Sequence, residues 1–197
     1  MGRSTRAQAD QNRARIVDAA SGLFRVKGID AVSIAEIMEA TGMTQGGFYK
    51  HFSSKEALAA EACAEAFERS TTTWKELVSA GPESGRTNRL RQLAEYYLTE
   101  KPPEKTCPMI ALGQDAAGHA AEEPFSQVYR KGAQGMCELF VNAASPEPNG
   151  RQREELMLLF ASMVGTNLLK RAVGNEPWIQ EMQQALMKKL SCEGSGD

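Results

Sequence analysis

Residues 33–58, SIAEIMEATGMTQGGFYKHFSSKEAL, decide how this chain is read. Ser33 stands where a helix N-cap belongs, and Glu36 three residues later has the spacing of a capping box. Ile34, Ile37 and Met38 give the short helix that follows one apolar face. Gly42 supplies a stop able to adopt positive φ. Met43 is expected to be the buried residue of the turn, and Thr44 to cap the next helix. That helix, Gln45 to His51, is too short to stand alone, carries two adjacent glycines, and ends in aromatic and basic groups. The pattern predicts a helix-turn-helix, whose second helix enters a DNA major groove.

Outward from this stretch, periodicity predicts an all-α chain of about nine helices. The first runs from about Asp10 to Lys27, burying Ile16, Ala19, Ala20, Leu23 and Phe24, and Gly28 ends it. A fourth helix, capped by Ser53 or Ser54, reaches about Ser79, with a loop from Ala80 to Gly85. Further helices are expected over Arg86–Thr99, Met109–His119, Pro124–Ala144, Arg151–Val173 and Pro177–Leu190, with a disordered CEGSGD tail. The expected organisation is a DNA-binding head with a basic N-terminal arm over residues 1–54. Residues 55–197 form a helical regulatory and dimerisation body.

Charge supports this division. Residues 1–55 hold eight Lys/Arg against five Asp/Glu, and residues 56–197 hold fifteen against twenty, for a net charge of −2. A basic end on an acidic body suits one polyanion contact at the N-terminal end. Arg3, Arg6, Arg13 and Arg15 are the arm. No apolar run approaches 18 residues and the N-terminus lacks an apolar leader, so the expectation is a cytoplasmic protein without a membrane. Cys63, Cys107, Cys137 and Cys192 lack metal-ligand spacing, and no metal or cofactor is expected.

Gln45 stands in the first turn of the second helix, where glutamine suits an adenine edge. Gly46 and Gly47 admit close approach to DNA or tight packing on the first helix. Tyr49 and Lys50 are outward if Phe48 and Phe52 fill the core, and both suit phosphates. His51 fits a phosphate or a packed interior. Thr44, Ser33 and Lys55 are further phosphate candidates at helix starts.

The run from Gly46 to Leu58, G-x-F-Y-x-H-F-x-S-K-E-x-L, resembles the DNA-binding domain of TetR-family transcriptional regulators. The resemblance covers roughly residues 10 to 60. It implies phosphate contact at Tyr49, base or phosphate contact at Gln45, Gly47 and Lys50, and a phosphate at Lys55. It also implies a homodimer on palindromic operator DNA, paired through its last two long helices. Candidates there are Leu159, Met163, Gly165, Asn167, Trp178, Met182 and Leu186. Trp74, Leu93, Tyr97, Met109, Phe125, Tyr129 and Met136 are the pool for an inducer pocket, and most also suit plain core.

Cys107 lies in a proline-bounded loop just before a helix, with Lys105 close by in sequence. Free N–H groups at a helix start favour a thiolate. The run TCPMIALG is similar to a C-P-x-x-A-L-G motif in one subgroup of the family, which also tends to carry GGFYKHF and has glycine where Thr106 stands here. Some family members sense oxidants or electrophiles through cysteine in this region, so Cys107 is the candidate thiol sensor. Two other classes compete. A peroxidase-like thiol enzyme would need an acid/base partner for Cys107, which neither His51 nor His119 recognisably supplies. A non-sensing architectural DNA protein leaves the large body without a purpose.

Overall fold

The computed structural model describes residues 6–80, 86–145 and 147–192. Arg3 of the expected arm, residues 81–85 of the expected loop, and residues 193–197 of the tail lie outside them. The described residues form nine α-helices, two 3-10 segments and no strand. The helices are α1 (Arg6–Lys27), α2 (Ile34–Ala40), α3 (Lys55–Ala80), α4 (Arg86–Leu98), α5 (Pro108–Ala111), α6 (Gly113–Gly118), α7 (Pro124–Ala144), α8 (Gly150–Val173) and α9 (Pro177–Cys192). The 3-10 segments are Gln45–Lys50 and Pro103–Lys105. The all-α expectation holds.

The chain divides into two compact units, residues 1–69 with 101–133 and residues 70–100 with 134–197. Helices α3 and α7 each contribute one half to either unit.

The first unit is built around Ile16, Ala20 and Phe24 of α1, Ile37 and Met38 of α2, Phe48, and Leu58 and Cys63 of α3, all buried. Helix α1 begins at Arg6, so Arg6, Arg13 and Arg15 stand on a helix. Gly28 and Gly42 end α1 and α2 at φ 82° and 70°, where a side chain would be strained. The segment Pro103–Lys105 and α5 lie along α1. Arg25 on α1 donates to Ser21 O at 2.9 Å and Thr106 O at 3.3 Å. The expected single helix over Met109–His119 is two helices that meet at Leu112. There the Tyr129 hydroxyl donates to Met109 O at 2.6 Å and lies 3.2 Å from where a Cβ on Gly113 would sit.

The second unit packs α4, α8 and α9 together with the C-terminal halves of α3 and α7. Trp74 is buried between Tyr97 and Phe140. Asn149 and Gln152 form a capping box that starts α8. Although no continuous apolar run reaches 18 residues, α8 is long and apolar enough on average to cross a membrane. Only 22% of that stretch is buried within the chain, and Met157, Leu158, Leu168 and Val173 are exposed.

Candidate nucleic-acid interface

Helix α2 begins as the sequence predicts. Ser33 Oγ accepts from Glu36 N at 3.1 Å. The Glu36 carboxylate is held below the usual range mainly by Lys27, whose ammonium donates to it at 2.5 Å, with the Ser33 backbone N–H contributing less. Arg15 on α1 donates to Thr41 O at 2.7 Å, closing the C-terminal end of α2.

The turn and second helix depart from expectation in three respects. Met43 is only half-buried, and Met38 and Thr41 fill the interior instead. Gln45–Lys50 is a 3-10 helix. Adjacent glycines and a length below two α-turns leave little to enforce the wider helix. Thr44 stands at the N-cap but makes no side-chain cap bond, and its carbonyl accepts from Gly47 N at 2.9 Å.

This segment is anchored from below. Phe48 is fully buried and Phe52 is 4% exposed, their rings 5.6 Å apart. Arg13 lies over the Phe52 ring at 4.6 Å and pairs with Glu61 on α3 at 2.5 Å. Tyr49 rests edge-on against Phe48 and is 67% exposed. Gln45, Gly46 and Lys50 are exposed, and Gly47 and His51 are half-buried. A Cβ on Gly46 would meet nothing within 4 Å. One on Gly47 would make ordinary contact with Met38 at 3.6 Å. Packing within the chain therefore does not demand either glycine.

Lys55 is engaged inside the unit. Its ammonium donates to Ile29 O at 3.0 Å, Val32 O at 3.2 Å and Asp30 O at 3.5 Å. It thereby ties the start of α3 to the turn between α1 and α2. Ser54 caps α3, its Oγ accepting from Ala57 N at 3.2 Å. Asp115 reaches the same turn, accepting from Ile29 N at 2.9 Å. Neither this carboxylate nor the arginines that brace the motif could be picked from spacing, because their partners are backbone groups or lie about 50 to 90 residues away.

The remaining candidates fall in several places. Trp74, Leu93, Tyr97 and Met136 are closely packed in the second unit, and Met109 and Phe125 are buried in the first. Tyr129 is half-buried, and burial, then the neighbouring Cys107 and Cys63 thiols, push its hydroxyl up to about 12. Leu159, Met163 and Leu186 are buried in the second unit, and Asn167 Nδ2 donates to Tyr97 O at 2.8 Å. Gly165 is half-buried, while Trp178 and Met182 are exposed, as are the α8 residues Met157 and Leu158 that sequence reasoning missed.

Cys107 is the half-buried N-cap residue of α5. Arg25 and Lys101 are each lowered chiefly by burial, and a Cys107 thiolate opposes that fall in both. Burial pushes the Cys63 thiol up to about 12 and raises Cys137 as well. Lys105 is exposed, and Lys170 donates to Leu98 O at 3.1 Å.

Residues 16–62 match the family model described as bacterial regulatory proteins, tetR family. The chain is 39% identical over 61 residues to the HTH-type transcriptional regulator AcrR of Shigella flexneri, an alignment covering 31% of this chain and 28% of AcrR. With the HTH-type transcriptional repressor KstR2 of Rhodococcus jostii it shares 27% identity over 115 residues, 58% of this chain and 54% of KstR2. The aligned part thus spans little more than a quarter of AcrR and about half of KstR2. Similarity of fold extends further. The reduced form of E. coli NemR superposes with a TM-score of 0.77 at 18% identity, covering 91% of this chain and 95% of NemR. A TetR-family regulator from Agrobacterium tumefaciens gives 0.78 at 16% identity, covering 92% and 98%. The stretch matched by the family model, residues 16–62, contains α2 and the 3-10 segment that form the helix-turn-helix.

Proposed function

We propose that the chain is a sequence-specific, DNA-binding transcriptional regulator. It acts as a homodimeric repressor released from its operator by a small molecule or by thiol modification. The observation that carries this reading is the outward strip of Gln45, Gly46, Tyr49 and Lys50 over a fully buried Phe48. Gln45 reads a base edge, Tyr49 and Lys50 hold phosphates, and Gly46 and Gly47 let the backbone approach. Thr44, Ser33 and His51 border this strip as further phosphate contacts. A palindromic operator follows from two-fold pairing, which doubles a short readout. The exposed apolar side of α8, with Trp178 and Met182 of α9, is the surface a second copy covers.

Release needs an inducer with different affinities for the bound and free arrangements. Cys107 supports the thiol route. It is half-buried at a helix start, with Arg25 and Lys101 near enough to favour a thiolate and be favoured by it. Its C-P-M-I-A-L-G setting resembles that subgroup's motif and supports the same route. The thiol enzyme has no comparable support, since Tyr129, the ionisable hydroxyl near Cys107, is pushed away from neutrality.

The test is an operator titration on the promoter of the chain's own gene, with and without diamide, for wild type and Cys107→Ser. Sequence-preferring binding lost on oxidation in wild type only is the expected result. Sequence-blind binding would overturn the regulator reading. Release that persists in Cys107→Ser would overturn the thiol route.

A further inference from the structure

The second unit carries an open groove of about 530 Å³ between the C-terminal half of α3, the start of α4 and the C-terminal half of α7. Its size lies in the range of small-molecule sites. Val78, Leu139 and Ala143 supply apolar wall, and Lys75 and Arg89 stand at its edge. Glu138, the one acid among the described residues that line it, is already matched, since Arg153 donates to both of its oxygens at 2.5 and 3.1 Å. Lys75 and Arg89 make no ion pair with any described residue. Thr71, Ser79 and Asn142 also line the groove, which is apolar over most of its surface and carries two cations.

Gly135 is part of this lining and lies within α7. Glycine is the poorest helix former after proline, so one in a helix interior needs a reason. Three residues earlier on α7, Gly132 has one, because a Cβ there would come within 2.3 Å of the Phe67 ring. Gly135 has none of this kind. It lines the groove, and a Cβ on it would meet nothing within 4 Å. Gly135 is exposed, so a larger side chain placed there would stand in the groove.

We infer that this groove binds a small organic anion with an apolar body, a carboxylate being the simplest, which lies over Gly135 and Leu139 and points its charge at Lys75 and Arg89. The inference rests on the regulator reading only for the consequence of binding, which is release of operator DNA.

The experiment uses the full chain, decanoate as probe, and 1-decanol and decylamine as the neutral and cationic controls. Calorimetric titration and thermal unfolding are followed on wild type, Gly135→Leu and Lys75→Gln/Arg89→Gln. Decanoate is expected to bind saturably and raise the melting midpoint, with the two controls at least roughly tenfold weaker. Removing both cations should weaken decanoate by about tenfold, and Gly135→Leu should abolish binding while leaving the unliganded midpoint unchanged or raised. Absence of saturable binding up to about 1 mM, equal binding of decanol, or full affinity in both variants would overturn the inference. An operator titration on the same samples separates the two readings. Decanoate binding without operator binding removes the regulator and keeps the groove, and operator binding without decanoate binding does the reverse.

Discussion

Lys55 and Asp115 hold the same residue from opposite sides. The Ile29 N–H donates to Asp115 Oδ1 at 2.9 Å, and the Ile29 carbonyl accepts from Lys55 Nζ at 3.0 Å. One peptide residue thus sits between a carboxylate from α6 and an ammonium from α3. The turn it belongs to feeds directly into Ser33 and α2, so its position sets the entry to the helix-turn-helix. A positive φ at Gly28 presents the Ile29 N–H to the carboxylate.

Lys55→Met and Asp115→Asn should each destabilise the first unit, by about 1.5–3 kcal/mol, the range for hydrogen bonds to charged groups. Both should lower operator affinity. The informative readout is salt dependence, because a lost phosphate contact reduces the slope of log affinity against log salt by about one. Lys50→Met should reduce that slope. Lys55→Met should leave it unchanged, since its ammonium already serves three carbonyls. A reduced slope in Lys55→Met would show that this lysine reaches a phosphate after all.

The glycines make opposite predictions by position. Gly46→Ala has open space for its methyl, so fold stability should hold or rise by up to about 1 kcal/mol. Operator affinity should nevertheless fall, because the methyl stands where the backbone approaches DNA. Gly132→Ala should cost stability, by about 1–3 kcal/mol, because the Phe67 ring must move from a 2.3 Å overlap. Denaturant unfolding together with operator titration checks all of this. Unchanged operator affinity in Gly46→Ala would mean that the backbone does not approach DNA there.

The helix order was legible because apolar periodicity and punctuation agreed. Ser33, Gly28, Gly42 and Pro124 each sit at the boundary their chemistry predicts. The break at Leu112 was not legible, since it depends on a Tyr129 hydroxyl from another helix. Nor was the 3-10 form of Gln45–Lys50, where local preference is too weak to choose between helix types. At the site, the inward Phe48 and outward Tyr49 followed from alternating demands of core and surface. Lys55 read as a surface cation because its partners are carbonyls, which carry no residue identity. The groove was equally hidden. Trp74, Leu93, Tyr97 and Met136 are the large apolar residues a sequence offers as pocket, and large residues are the ones that fill the core.

The thiols should separate by accessibility and pH. A thiol with a pKa of about 12 is thiolate to only about one part in ten thousand at pH 8, so Cys63 should resist iodoacetamide until the protein unfolds. In a Cys192→Ser background, mass spectrometry of limited labelling should find Cys107 modified first. Raised folded-state values also set a stability limb. Between the ordinary thiol value of 9.0 and about 12 the folded state holds the Cys63 proton more tightly than the unfolded state does. Stability should therefore fall as pH rises above 9, by about 1 kcal/mol per pH unit for this group. Tyr129, raised from 10.0 to about 12, adds to the fall above pH 10. Denaturation midpoints at pH 8 and 10.5 should differ less in Cys63→Ala than in wild type.

The proposed pairing surface makes the last prediction. Leu158 is 68% exposed and Met157 45%, on a helix whose apolar stretch is mostly unburied within the chain. Leu159 and Met163 are buried at 7% and 0%, so they belong to the second unit's own core. Leu158→Glu should therefore leave the fold intact and separate the protomers, because a carboxylate facing an apolar partner loses hydration without a compensating bond. Met163→Glu should unfold the second unit instead. Sedimentation velocity should show wild type as a dimer and Leu158→Glu as a folded monomer, its helical circular dichroism unchanged. Operator affinity should collapse in that variant, since a single recognition helix reads too few base pairs to hold a site. A Leu158→Glu protein that remains dimeric and still binds its operator would place the pairing surface elsewhere.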